Sequence, residues 1–74
     1  MQKYIERMKI EKTELEGRIS KAEKAIEKPP YGSDLNGIEL LKQQVRAMRV
    51  YLEVLEKRIK YEVSKWMKKQ SNTD

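Results

Sequence analysis

Pro29-Pro30-Tyr31-Gly32-Ser33-Asp34 stands between two long runs of helix-forming residues and splits the chain in two. Proline lacks a backbone donor and disfavours helical geometry in the residue before it, so a first helix must stop here. Tyr31 to Asp34 and the following Asn36-Gly37 are turn residues by chemistry. The second helix therefore begins between Ser33 and Gly37. Ser33 or Asp34 can cap it, and Asn36 with Glu39 forms a capping-box alternative. No proline follows to interrupt that helix.

Both sides of the turn carry one periodicity. Ile5, Met8, Lys12, Leu15, Ile19, Ala22 and Ile26 advance in alternating steps of three and four, and only Lys12 breaks the apolar seam. Ile38, Leu41, Val45, Met48, Leu52, Leu55, Ile59, Glu62 and Trp66 repeat the pattern after the turn. Lys21, Lys24 and Lys28 complement the dipole near the first helix's C-terminus. The prediction is an all-α chain folded as an antiparallel helical hairpin, a single domain over residues 1–74. Its parts are a helix over about 3–28, a Pro-Pro turn over 29–36, a helix over about 37–68 and a frayed polar tail over 69–74. In that hairpin Ile5 falls near Ile59 and Lys60, and Lys12 near Glu53 and Glu56, either of which offers it an ion pair.

Such a hairpin does not cover its own apolar surface. The first helix is about 39 Å long and the second about 48 Å, at about 1.5 Å per residue. Trp66 and Met67 thus project past the start of the first helix. The second helix also carries Leu40, Ala47, Val54 and Tyr61 in one heptad column, with Val50 alongside, well round from the seam. One partner helix cannot cover so wide an apolar arc. A chain of 74 residues without cysteine also has a marginal core of its own. The hairpin is therefore expected to assemble into a helical-bundle homo-oligomer, a dimer or a tetramer.

Composition narrows the function. There is no histidine and no cysteine, which removes the common nucleophile–base pairs and both usual zinc ligands. No glycine-rich phosphate loop precedes a helix, and Glu11, Glu14, Glu53 and Glu56 read as partners for surface lysines rather than a catalytic cluster. The expectation is a protein that is not an enzyme and uses no cofactor. The longest apolar run is far short of a membrane span, and the N-terminus lacks a signal peptide's apolar stretch, so a cytoplasmic protein with no membrane partner is expected. A net charge of +5 attracts anions, yet acidic residues interleave with the basic ones throughout. Arg46, Arg49, Lys57 and Lys60 make only a broken stripe and no recognition motif is present, so no specific DNA or RNA partner is expected.

One column of the second helix stands apart. Gln44, Tyr51 and Arg58 repeat every seven residues, two helical turns, with Met48 beside them. Arginine clamps a phosphate through two parallel hydrogen bonds, a tyrosine ring stacks on a base, glutamine reads a base edge and methionine packs on rings. Lys12, the charge in the seam, is a second phosphate partner. Arg46 and Arg49 rank behind these. Spacing alone favours an ordinary interface, with Tyr51 and Met48 as its core, Gln44 setting register and Arg58 paired with a glutamate of the facing helix. A protein adaptor that docks through Leu40, Ala47, Val54 and Tyr61 is the competing function.

The chain also resembles a widespread family of very short bacteriophage proteins related to a crAss-like phage gene product. The resemblance rests on Glu11-Lys12, Glu14-Leu15, Arg18-Ile19 and Ile26 in the first helix. The second contributes Leu40-Leu41, Gln44, Met48, Tyr51, Leu55 and Arg58-Ile59. It spans about residues 5–60 and leaves out the turn and the Lys68-Lys69 end. Proteins of this kind are similar to phage sponges that defeat nucleotide-signalled bacterial immunity (CBASS), small helical oligomers that bind a cyclic dinucleotide without hydrolysing it. The resemblance implies an immune-evasion protein working in the host bacterial cytoplasm. Its cyclic dinucleotide would be held by Lys12, Gln44, Met48, Tyr51 and Arg58.

Overall fold

The computed structural model describes residues 3–71, which form two helices, α1 (Lys3–Glu27) and α2 (Leu35–Ser71), and no strand. They pack antiparallel as a hairpin. Its extents of 63 × 15 × 14 Å make it a rod, and the radius of gyration of 17.4 Å is far above the about 11 Å of a compact chain this long.

The turn is built from the residues that announce it. Lys28 closes the last turn of α1 by donating its backbone N–H to the Lys24 carbonyl at 2.9 Å, and Pro29-Pro30 follows. Ser33 donates to the Pro30 carbonyl at 3.1 Å, and Gly32 takes a φ of 88° within that turn. A positive φ at the third residue is the signature of a type II turn and is the reason glycine stands there. Asp34 then caps α2, its Oδ1 accepting from the Gly37 N–H at 2.7 Å. The capping alternatives thereby reduce to Asp34, and α2 starts at Leu35 rather than at about residue 37. At its other end α2 runs on to Ser71, past the end at about residue 68 that its polar composition suggests. The remainder of the expected frayed tail, residues 72–74, lies outside the described residues.

The core is one residue wide. Ile5, Met8, Leu15 and Ile19 of α1 and Val45 and Leu55 of α2 are buried. Ala22, Ile26, Met48, Leu52 and Ile59, half-buried, pack against the cluster of Met8, Leu15, Ile19, Val45 and Leu55. Lys12 does interrupt the seam, and its Nζ reaches Glu56 Oε2 at 3.4 Å. Arg49 pairs with Glu23 on the same edge, and the Tyr4 hydroxyl donates to Glu62 Oε1 at 2.6 Å. These three cross-links, spread along the rod, fix the antiparallel register. With 37 residues against 25, α2 outruns α1 by about 18 Å at about 1.5 Å per residue. Trp66 and the 56% exposed Met67 sit on that overhang.

Candidate functional site

Gln44, Tyr51 and Arg58 line one edge of the hairpin, directly beside the seam of α2. All three are exposed, while Met48, one step toward the core, is half-buried and packs on the apolar cluster. Seven residues of helix separate each member from the next, so the column is about 21 Å long. Tyr51 is 43% exposed: its ring is partly supported by the helix surface and presents the rest outward.

Among the described residues Arg58 forms no ion pair, so the facing helix does not occupy its guanidinium. Its field is felt one turn on, at Glu62. That carboxyl is held below the ordinary value of 4.5, first by the hydrogen bond from Tyr4 and then by the nearby Lys65 and Arg58 charges, with desolvation working against them. The same hydrogen bond pushes the Tyr4 phenol up, because losing its proton would set two anions together. Lys65 Nζ stands 3.5 Å from Glu62 Oε1 and 5.3 Å from the Tyr61 ring centroid. The Arg58 end of the column thus opens onto a polar and basic cluster of Tyr4, Glu62, Tyr61 and Lys65.

Lys12 is elsewhere. Its ammonium turns toward Glu56, on the edge that also carries the Arg49–Glu23 pair. At 100° per residue that edge lies about 160° round α2 from the column. One chain therefore brings Gln44, Met48, Tyr51 and Arg58 together and leaves Lys12 out. Arg49 is occupied by Glu23, whereas Arg46 is exposed and has no ion-pair partner among the described residues.

Three depressions of the surface are lined by Lys24, Ala25, Glu27 and Lys28 near the end of α1, by Lys60, Tyr61, Ser64, Lys65 and Lys68, and by the turn with Ala25, Ile38 and Leu41. None of these three includes Gln44, Tyr51 or Arg58, which stand on an open flank. The second depression was not singled out from the sequence. Its signal is the spacing of Tyr61, Lys65 and Lys68, which stacks one aromatic ring and two cations on one helix face. The Tyr4–Glu62 bond was equally readable, since the hairpin register sets residue 4 beside residues 61 and 62. No group of acidic residues able to hold a metal ion occurs among the described residues, and no described helix is long and apolar enough to cross a membrane.

Fold and flank together describe a small helical hairpin that displays an exposed aromatic and cationic edge. The family model named Sequestin matches residues 2–61, and the chain belongs to that family. The matched stretch holds the seam of α1, the seam of α2 as far as Ile59, the turn and every member of the column, and ends just before Glu62. The family name denotes sequestration, a binding role. No curated protein matches the chain, and no solved structure does.

Proposed function

We propose that this protein is a phage immune-evasion sponge, which binds a cyclic nucleotide signal of the host and withholds it without hydrolysis. The ligand class is a nucleotide with two phosphates and a purine base, a cyclic dinucleotide first among them. Arg58 would take a phosphate, Tyr51 would stack on a base, Gln44 would hydrogen-bond a base edge and Met48 would line the apolar floor. The observation that carries this reading is Arg58: an arginine with no ion pair among the described residues, in line with an exposed tyrosine, in a chain whose family is named for sequestration. Sequestration needs affinity rather than turnover, which suits a chain without histidine or cysteine. Lys12 is left with Glu56 in this reading. The protein would act in the cytoplasm of the infected cell, where such a signal is made.

The test is isothermal titration of purified protein with cyclic dinucleotides and with other purine nucleotides carrying two phosphates. Saturable binding, with every nucleotide recovered chemically intact, supports the proposal. Absence of binding across that set, or conversion of the ligand, refutes it.

A protein adaptor is the second reading, favoured by the exposure of Leu40 (64%), Val54 (48%) and Tyr61 (63%) along the next column of α2. It predicts no response to any nucleotide.

A further inference from the structure

Apolar exposure on this rod is lopsided. On α1 the exposed large apolar residues are Tyr4 and Ile10, whereas α2 shows Leu35, Leu40, Val50, Tyr51, Val54, Tyr61 and Met67. Leu40, Ala47, Val50, Val54 and Tyr61 form one continuous face, about 130° or more round the helix from the seam and centred along its length on Val50.

The residues bordering this face select its occupant. On one border Glu39, Arg46, Glu53 and Lys60 repeat every seven residues, reading acidic, basic, acidic, basic. In a parallel pair the two-fold runs along the helices and sets this border beside the partner's other border, the Gln44, Tyr51 and Arg58 column, where its alternating charges find no matching set. In an antiparallel pair with its two-fold near Val50, Glu39 meets the partner's Lys60 and Arg46 meets the partner's Glu53. The apolar face obeys the same symmetry, with Leu40 level with the partner's Tyr61 and Ala47 level with the partner's Val54. Such self-complementarity is what an isologous two-fold interface requires.

The other border is the candidate site. The same operation sets Tyr51 beside the partner's Tyr51 at the axis and Arg58 level with the partner's Gln44. We infer that the face is covered by a second copy of this chain, antiparallel about Val50. The pairing completes two equivalent ligand sites, each made of Arg58, the partner's Gln44 and a Tyr51 ring. The two Arg58 side chains stand about 21 Å apart along the helices, fourteen residues' worth of rise, so one small ligand cannot bridge them. Each pair of chains therefore takes two ligands. This ligand clause rests on the sponge reading; the pairing itself does not.

The chain has no cysteine, so single cysteines report the pairing cleanly. Under mild oxidation Val50→Cys forms a covalent dimer, Leu40→Cys alone does not, and Leu40→Cys mixed with Tyr61→Cys does. Self-linking of Leu40→Cys, or a wild-type protein that is monomeric in solution, overturns the pairing. The shared site is tested by complementation with a cyclic dinucleotide as probe. Arg58→Ala and Gln44→Ala each lose binding alone, while the re-equilibrated mixture regains about a quarter of the wild-type sites, because half the pairs are mixed and each holds one intact site. No regain, with the cross-linking pattern as stated and wild type binding the probe, overturns the shared site. If wild type itself ignores every nucleotide while the cross-links form, the pairing is upheld and the sponge reading fails.

Discussion

Arg58 and Glu62 sit one turn apart and behave oppositely. Glu62 is engaged by Tyr4 and Lys65, and its lowered pKa records that it prefers to be charged in the fold. Arg58 is charged and carries no ion pair among the described residues, the condition of a group able to receive a phosphate. Arg58→Ala is expected to remove nucleotide binding while the helical circular-dichroism signal and the solution mass stay at wild type; loss of the assembly would make Arg58 structural instead. The Tyr4–Glu62 bond makes a pH prediction. A carboxyl with a depressed folded pKa stabilises the fold above its unfolded value and loses that contribution as pH falls through the folded one. Tyr4, raised, contributes below its ordinary value of 10.0 and ceases to as pH rises through its folded one. Tyr4→Phe should therefore melt slightly below wild type at neutral pH, and the gap should close in acid as Glu62 protonates. A gap unchanged by acid would mean that the Tyr4 hydroxyl acts through something other than the Glu62 carboxylate.

The elements were largely legible in the sequence because each is fixed by local chemistry. Two seams in steps of three and four, and a Pro-Pro break between them, leave few alternatives to a hairpin. The precise cap was not legible, because Ser33, Asp34 and Asn36 are all competent and only the turn geometry decides among them. That geometry depends on Gly32 in the left-handed region. Gly32→Ala is expected to cost about 1 kcal/mol, from strain rather than from contact, since nothing lies within 4 Å of an added β-carbon. Asp34→Ala should cost a similar amount, about 1 kcal/mol, by leaving the Gly37 N–H without its acceptor. Urea unfolding monitored by circular dichroism measures both. Leu55, with no exposed surface, is the most sensitive seam position, and Leu55→Ala should cost about 2–5 kcal/mol. A smaller loss would mean that the seam of α2 relaxes around the gap.

For the whole molecule, the rod is under-covered. Among the described residues six hydrophobic side chains are buried, and seven large apolar side chains of α2 are exposed. A single seam gives a chain of this size little margin against the entropy of ordering it, which argues for association. The site column was legible as a heptad repeat, and the structure keeps Gln44, Met48, Tyr51 and Arg58 on one edge. The Lys12–Glu56 pair was legible from the hairpin register, but that it sets Lys12 apart from the column was not, because periodicity reports the face of a residue and not the direction its long side chain takes. Glu56 draws the ammonium to the opposite edge. What no single-chain pattern supplies is the wall that would close an open flank into a pocket; in the proposed pairing that wall comes from another copy.

If this rod sequesters a cyclic nucleotide, thermal unfolding against a panel of nucleotides will show it. Purified protein is melted alone and with cyclic di- and trinucleotides, other two-phosphate purine nucleotides and a mononucleotide mixture of equal charge, with solution mass recorded alongside. A ligand that binds only the folded state raises the melting temperature with its concentration. A sponge should show a shift of several degrees for a cyclic species, none for the mononucleotide mixture, and a mass of at least two chains. A well-folded oligomer that melts at one temperature across the whole panel would contradict it and leave the protein adaptor ahead.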